Sequence, residues 1–94
     1  MILMGMLFPL GRVVATPGAL GVLAESGEEP KLFLRRHVTG DWGELTPADR
    51  SANTRALTTG ERLLSSYCTS RGAKLWVITE ADRSSTCLLL PDEY

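Results

Sequence analysis

The spacing of apolar residues changes once along the chain. Up to Gly60 it suits helices with one short strand before them, and from Glu61 it breaks into the short runs that strands make. Val13-Val14, within Leu10 to Ala15, predicts a short N-terminal strand. Thr16-Pro17 reads as an N-cap followed by proline at the first helical position. It opens a helix from Pro17 to about Ser26 that is expected to bury Leu20, Leu23 and Ala24 and to stop at Gly27, with Gly18 and Gly21 weakening it. Pro30, after Glu28 and Glu29, opens a second helix. Leu32-Phe33-Leu34 and Val38 supply its apolar side, Phe33 and His37 share a face, and Gly40 ends it. Thr46-Pro47-Ala48-Asp49 is the clearest start signal, with Asp49 where a capping-box acid sits. A third helix follows to about Thr59, with a thin stripe of Ala48, Ala52, Ala56 and Leu57 and a stop at Gly60.

Three runs follow: Leu63 to Thr69, Lys74 to Glu80 and Ser85 to Leu90. Their short connections predict a three-stranded antiparallel meander. The fold class is therefore α+β: a short N-terminal strand, two to three helices, then the meander. Two central residues per turn, Arg71-Gly72 and Asp82-Arg83, set a register in which Tyr67 faces Trp76, Ser65 faces Ile78, and Ile78 faces Cys87. Leu63, Tyr67, Trp76, Ile78, Cys87 and Leu89 then share one face; Leu64, Cys68, Leu75, Val77, Leu88 and Leu90 share the other. Both faces are apolar and call for cover by helices or a partner chain. Cys68 and Cys87 fall on opposite faces and cannot bond, a conclusion that a one-residue slip would reverse.

Composition narrows the class. A length of 94 residues allows a single domain, 1–94. Apolar residues at 44 % and charged residues at 22 % describe a folded chain. Ten Lys+Arg against eleven Asp+Glu remove the electrostatic case for nucleic acid as a partner, leaving only a weaker DNA-binding reading through Arg35, Arg36, Arg50 and Arg55. Two cysteines without a C-x-x-C pair suit a reduced, cytoplasmic protein with no metal and no cofactor. The apolar start, Met1 to Leu10, is too short for a membrane span and lacks the basic flank of a signal peptide, so no membrane is expected. Met1, Met4 and Met6 allow translation to start at Met6, leaving Met1 to Gly5 as a frayed extension, and residues 1–6 are expected to be a disordered or mis-assigned start.

Candidate chemistry gathers in two places. His37, Asp41, Trp42, Asp49 and Asn53 lie near the centre of the chain. His37 with Asp41 or Asp49 has the elements of an acid–base pair. The structural reading is favoured: His37 at a helix C-terminus, where its charge suits the dipole, Asp49 in a cap, Asn53 tying loop to helix. Trp42, between glycines, is either an exposed binding anchor or a lid folded onto the core, and the lid is favoured. Glu80, Asp82 and Arg83 form a charged hairpin tip suited to binding, or a solvated turn in which Asp82 bonds its own backbone.

His37 to Leu45 with Gly-Asp-Trp-Gly, then Asp49, Asn53, Gly60, Tyr67, the run Trp76-Val77-Ile78-Thr79-Glu80-Ala81-Asp82-Arg83-Ser84 and Leu89-Leu90-Pro91 resemble a family of small bacterial proteins commonly labelled plasmid-related. The resemblance covers most of the chain from about Leu10. Some members carry names borrowed from type I restriction–modification subunits, but this chain is too short for a methyltransferase domain and has no Gly-rich cofactor loop. The resemblance implies a bacterial, cytoplasmic setting, often on mobile elements. The expected function is a non-enzymatic accessory that binds a host or defence protein, or a homodimer. The alternative is a small hydrolase using His37 with Asp41 or Asp49.

Overall fold

Helix ends fall where short side chains and glycines can satisfy the backbone. The computed structural model describes residues 5–94: β1 (Arg12–Ala15), α1 (Pro17–Ser26), α2 (Pro30–Val38), α3 (Pro47–Thr59), β2 (Leu63–Cys68), β3 (Lys74–Thr79), β4 (Ser85–Leu89) and a closing 3-10 turn, Pro91–Glu93. The Thr16 hydroxyl accepts from the Ala19 amide at 3.1 Å and that of Thr46 from the Asp49 amide at 3.2 Å. Gly27 and Gly60 close α1 and α3 in the left-handed region, which glycine enters without a Cβ penalty. Among the described residues no helix is long and apolar enough to cross a membrane. The expectation for the start of the chain falls largely on residues 1–4, outside the described residues; Gly5 and Met6 are exposed.

The architecture is α+β, with one mixed sheet in the order β1-β4-β3-β2. β3 pairs antiparallel with both neighbours, while β1 joins β4 in parallel. This corrects the expected N-terminal strand beside a purely antiparallel meander: the strand before the helices and the strands after them form a single sheet.

Turn length decides register. Between β3 and β4, Glu80 pairs with Ser85 around residues 81–84, and Ile78 faces Cys87 as expected. Between β2 and β3 the expectation is off by one. The Thr69 amide bonds the Ala73 carbonyl, enclosing Ser70, Arg71 and Gly72, and Gly72 at φ 85° supplies the left-handed residue of a three-residue hairpin. Tyr67 therefore faces Leu75, Ser66 faces Trp76 and Ser65 faces Val77. A three-residue loop shifts the pairing by one relative to a two-residue loop, so all of β2 exchanges faces. Cys68 and Cys87 now share a face. They stay unbonded because Cys68 sits opposite Lys74 and Cys87 opposite Ile78, two strands and several rungs apart.

α1 and α2 lie over the face that carries Leu63, Ser65, Tyr67, Leu75, Val77, Thr79, Thr86 and Leu88. One apolar cluster joins Ala19, Leu23 and Phe33 to Tyr67, Leu75, Val77 and Leu88; a second joins Phe8, Val38, Trp42, Ala56 and Leu63. The predicted core positions Leu20 and Ala24 face outward instead. Ala19 and Leu23, four apart on one face, pack with Phe33, Tyr67 and Leu88, and this fixes the rotation of α1. The Glu93 carboxylate meets the start of the helix, accepting from the Thr16 hydroxyl and from the Gly18 and Leu90 amides. Ala48 and Ala52 are also exposed, because α3 lies against the β2 side of the sheet through Asn53 and Ala56.

Candidate functional site

His37 is fully buried, and α2 aims it at the sheet one turn after Phe33. Its Nδ1 lies 2.6 Å from the Ser65 hydroxyl and its Nε2 2.9 Å from that of Thr79. Thr79 is 2.7 Å from Thr86, whose hydroxyl bonds the Leu10 carbonyl at 2.7 Å. With the buried imidazole neutral, donor counting fixes every proton in this row. A carbonyl only accepts, so Thr86 donates to Leu10. Thr86 then accepts from Thr79, Thr79 accepts from the His37 Nε2–H, and His37 Nδ1 accepts from Ser65. The imidazole is neutral, and burial pushes its pKa down to about 4. This overturns the expectation of a charged histidine favoured by a helix dipole.

A serine bonded to a histidine is half of a hydrolytic centre. Here Ser65, His37, Thr79 and Thr86 all have 0 % or near 0 % exposure, and Phe8 and Trp42 pack edge-on against the imidazole at 5.1 and 5.8 Å. The structure does not bring His37 to either expected carboxylate. Asp41 pairs with Arg36 at 2.7 Å, which holds its carboxyl below the usual range. Asp49 is exposed in the first turn of α3. Sequence reasoning missed Ser65 and Thr79 as the partners of His37, and Thr86 as the next member of the row. Their signal was legible as hydroxyls interrupting apolar alternation, but only in the correct register.

The Asp41-Trp42-Gly43 segment closes the site. Trp42 is 8 % exposed and stacks on Phe8 at 6.2 Å, in the lid position. The Ser66 amide donates to the Trp42 carbonyl at 3.0 Å, and the Glu44 amide to the Ser66 carbonyl at 2.7 Å. Gly43, at φ 75°, crosses so near β2 that a Cβ would lie 2.1 Å from the Ser66 carbonyl oxygen. Beside it a cleft of about 340 Å³ is lined by Arg36, Asp41, Glu44, Arg50 and Cys68. Its arginines are engaged: Arg36 with Asp41 and over the Tyr67 ring at 4.4 Å, Arg50 with the carbonyls of Leu45 and Gly43. That leaves Arg35 and Arg55 of the four arginines with exposed guanidinium groups not engaged this way.

At the hairpin tip, Asp82 accepts from the Ser84 amide at 2.9 Å as an Asx turn. Glu80 is exposed. Arg83 reaches beyond its turn. Its guanidinium donates to the Glu61 carbonyl at 2.6 Å and to the Ala56 carbonyl, in the last turn of α3, at 2.9 Å. Arg83 thus straps the hairpin to α3.

The two edges of the sheet differ. On β2, the Asn53 amide mimics a peptide: it donates to the Leu64 carbonyl at 2.6 Å and accepts from the Leu64 amide at 3.1 Å. With the bonds to Ser66, the outward backbone of β2 is paired along most of its length. On β1, the amides of Arg12 and Thr16 turn inward to β4, at 2.9 and 3.0 Å. Strand alternation turns Val13 and Ala15 outward, and among the described residues nothing pairs with that side. Val13 and Val14 are 45 % and 40 % exposed.

Among the described residues no three His, Cys, Asp or Glu side chains are grouped to hold a metal ion. No family model, no curated protein and no solved structure matches the chain.

Proposed function

We propose that this chain is a non-enzymatic interaction protein that binds a second chain along β1. One observation carries the reading: β2 is closed by Asn53 and by residues 42–44, while β1 presents unpaired backbone beside two exposed valines. Exposed backbone of this kind takes up an added strand through main-chain hydrogen bonds. The added strand comes from another copy of the chain or from a host or defence protein. The resemblance in sequence supplies the setting we adopt, the cytoplasm of a bacterium carrying the gene on a mobile element.

A photo-crosslinking residue at Val13 tests this in a bacterial lysate and in the purified protein, with the same residue at Arg55 on α3 as the control. A discrete adduct is expected at position 13, reduced when Val14→Lys is added, and light scattering of the purified protein distinguishes self-pairing from a foreign partner. Crosslinking at 13 no stronger than at 55, in both preparations, overturns the proposal.

A further inference from the structure

Beside the face it turns to the sheet, α2 has a second flank where Leu34 and Val38, at the margin of the core, meet two cationic side chains. Phe33 and His37 turn to the sheet. Lys31, Leu34, Arg35 and Val38 follow the i, i+3, i+4, i+7 spacing of a single helical stripe. Opposite stand Met6 and Leu10 of the segment before β1, and the space between is a groove of about 500 Å³. Its walls are apolar, Lys31 and Arg35 are its charged lining groups, and no carboxylate lines it. The ion pair of Lys31 with Glu29, 3.2 Å long, has both side chains more than two-thirds exposed. Such a pair is weak and readily exchanged. Among the described residues Arg35 has no carboxylate within ion-pair distance.

We propose that this groove binds the apolar face of an acidic amphipathic helix from a partner protein. Apolar walls beside two cations require a ligand that is apolar on one side and negative at its margins, which is the helix-in-groove mode of recognition. Lys31 to Val38 spans roughly 10 Å at the α-helical rise, enough for two turns of a bound helix. The helices of a second copy do not supply that face. α1 and α2 each expose one large apolar residue, Leu20 and Leu32, and α3 exposes none. The inference goes beyond pairing at β1 and does not depend on it.

The probe is an alanine-based helical peptide with leucines at i, i+3, i+4 and i+7 flanked by glutamates; its control has lysines in their place. Titration is followed by amide chemical shifts of the full-length protein. Saturable shifts centred on Met6, Leu10, Leu34 and Val38 are expected with the glutamate peptide. In the charge-reversed double variant Lys31→Glu, Arg35→Glu its affinity falls at least about tenfold, and the lysine peptide becomes the better ligand. Both charge changes lie at the surface, so the fold survives them. Val13→Lys leaves peptide binding unchanged, which separates failure here from failure at β1. No saturable shift, shifts centred elsewhere, or equal affinity for the two peptides overturns the proposal. So does occupation of the groove by sodium dodecanoate without binding of either peptide, which assigns it to a small amphiphile.

Discussion

A single neutral imidazole shows how much one buried residue determines. His37 titrates near 6.5 in an unfolded chain, but in the fold burial holds it to about 4. Between those values the unfolded chain binds the proton and the folded chain does not. Stability is therefore fully present above about pH 6.5 and falls as the pH drops toward 4, by about 3 kcal/mol for this group alone. Urea midpoints across that range are expected to show the decline, and His37→Gln to flatten it. The imidazole nitrogen shifts of the wild-type protein give a second reading, with the proton expected on Nε2. A proton on Nδ1 would break the donor order that runs through Thr79 and Thr86. The burial of His37 was legible in sequence only through its spacing from Phe33. Its partners come from two different strands and the row continues onto a third, and no local signal joins them.

At the scale of elements, the local signals held and the nonlocal ones did not. α1 and α3 begin and end where Thr-Pro and glycine predict, because a cap acts within one turn of its helix. The phase of α1 escaped prediction because Ala19 and Leu23 pack against Tyr67, Leu75 and Leu88, residues far along the chain. The register of β2 escaped because Ser70-Arg71-Gly72-Ala73 suits either a two-residue or a three-residue turn. Arg71→Asn tests how firmly that choice binds the fold, because Asn-Gly is the pair that most favours a two-residue loop. That loop would pair Ser70 with Ala73 and turn Leu63, Ser65 and Tyr67 away from the helices, stripping His37 of Ser65 and Phe33 of Tyr67. Loss of amide dispersion in the NMR spectrum is expected. A folded variant with Tyr67 opposite Trp76 would show that the core tolerates either register.

Over the whole molecule, a few polar straps join segments far apart in sequence. Arg83 ties the last hairpin to the end of α3, and Glu93 ties the C-terminal turn to the start of α1. Arg83→Met keeps the length of the side chain, removes the strap and leaves the Glu61 carbonyl without the Arg83 donor, while the Ala56 carbonyl keeps the Gly60 amide. About 2 kcal/mol of stability is expected to go, read from urea unfolding. Arg83→Lys recovers only part of it, since one ammonium nitrogen does not replace the two separate nitrogens, Nη1 and Nη2, that reach Glu61 and Ala56. The unequal edges of the sheet also set a limit on growth. A strand exposed on both sides of a sheet would polymerise; this one offers a single valence. When two copies meet through β1, each outer margin is already occupied by Asn53 and by the turn at Gly43, so assembly stops at the pair, and a protein with bare backbone on its surface is kept from forming fibres.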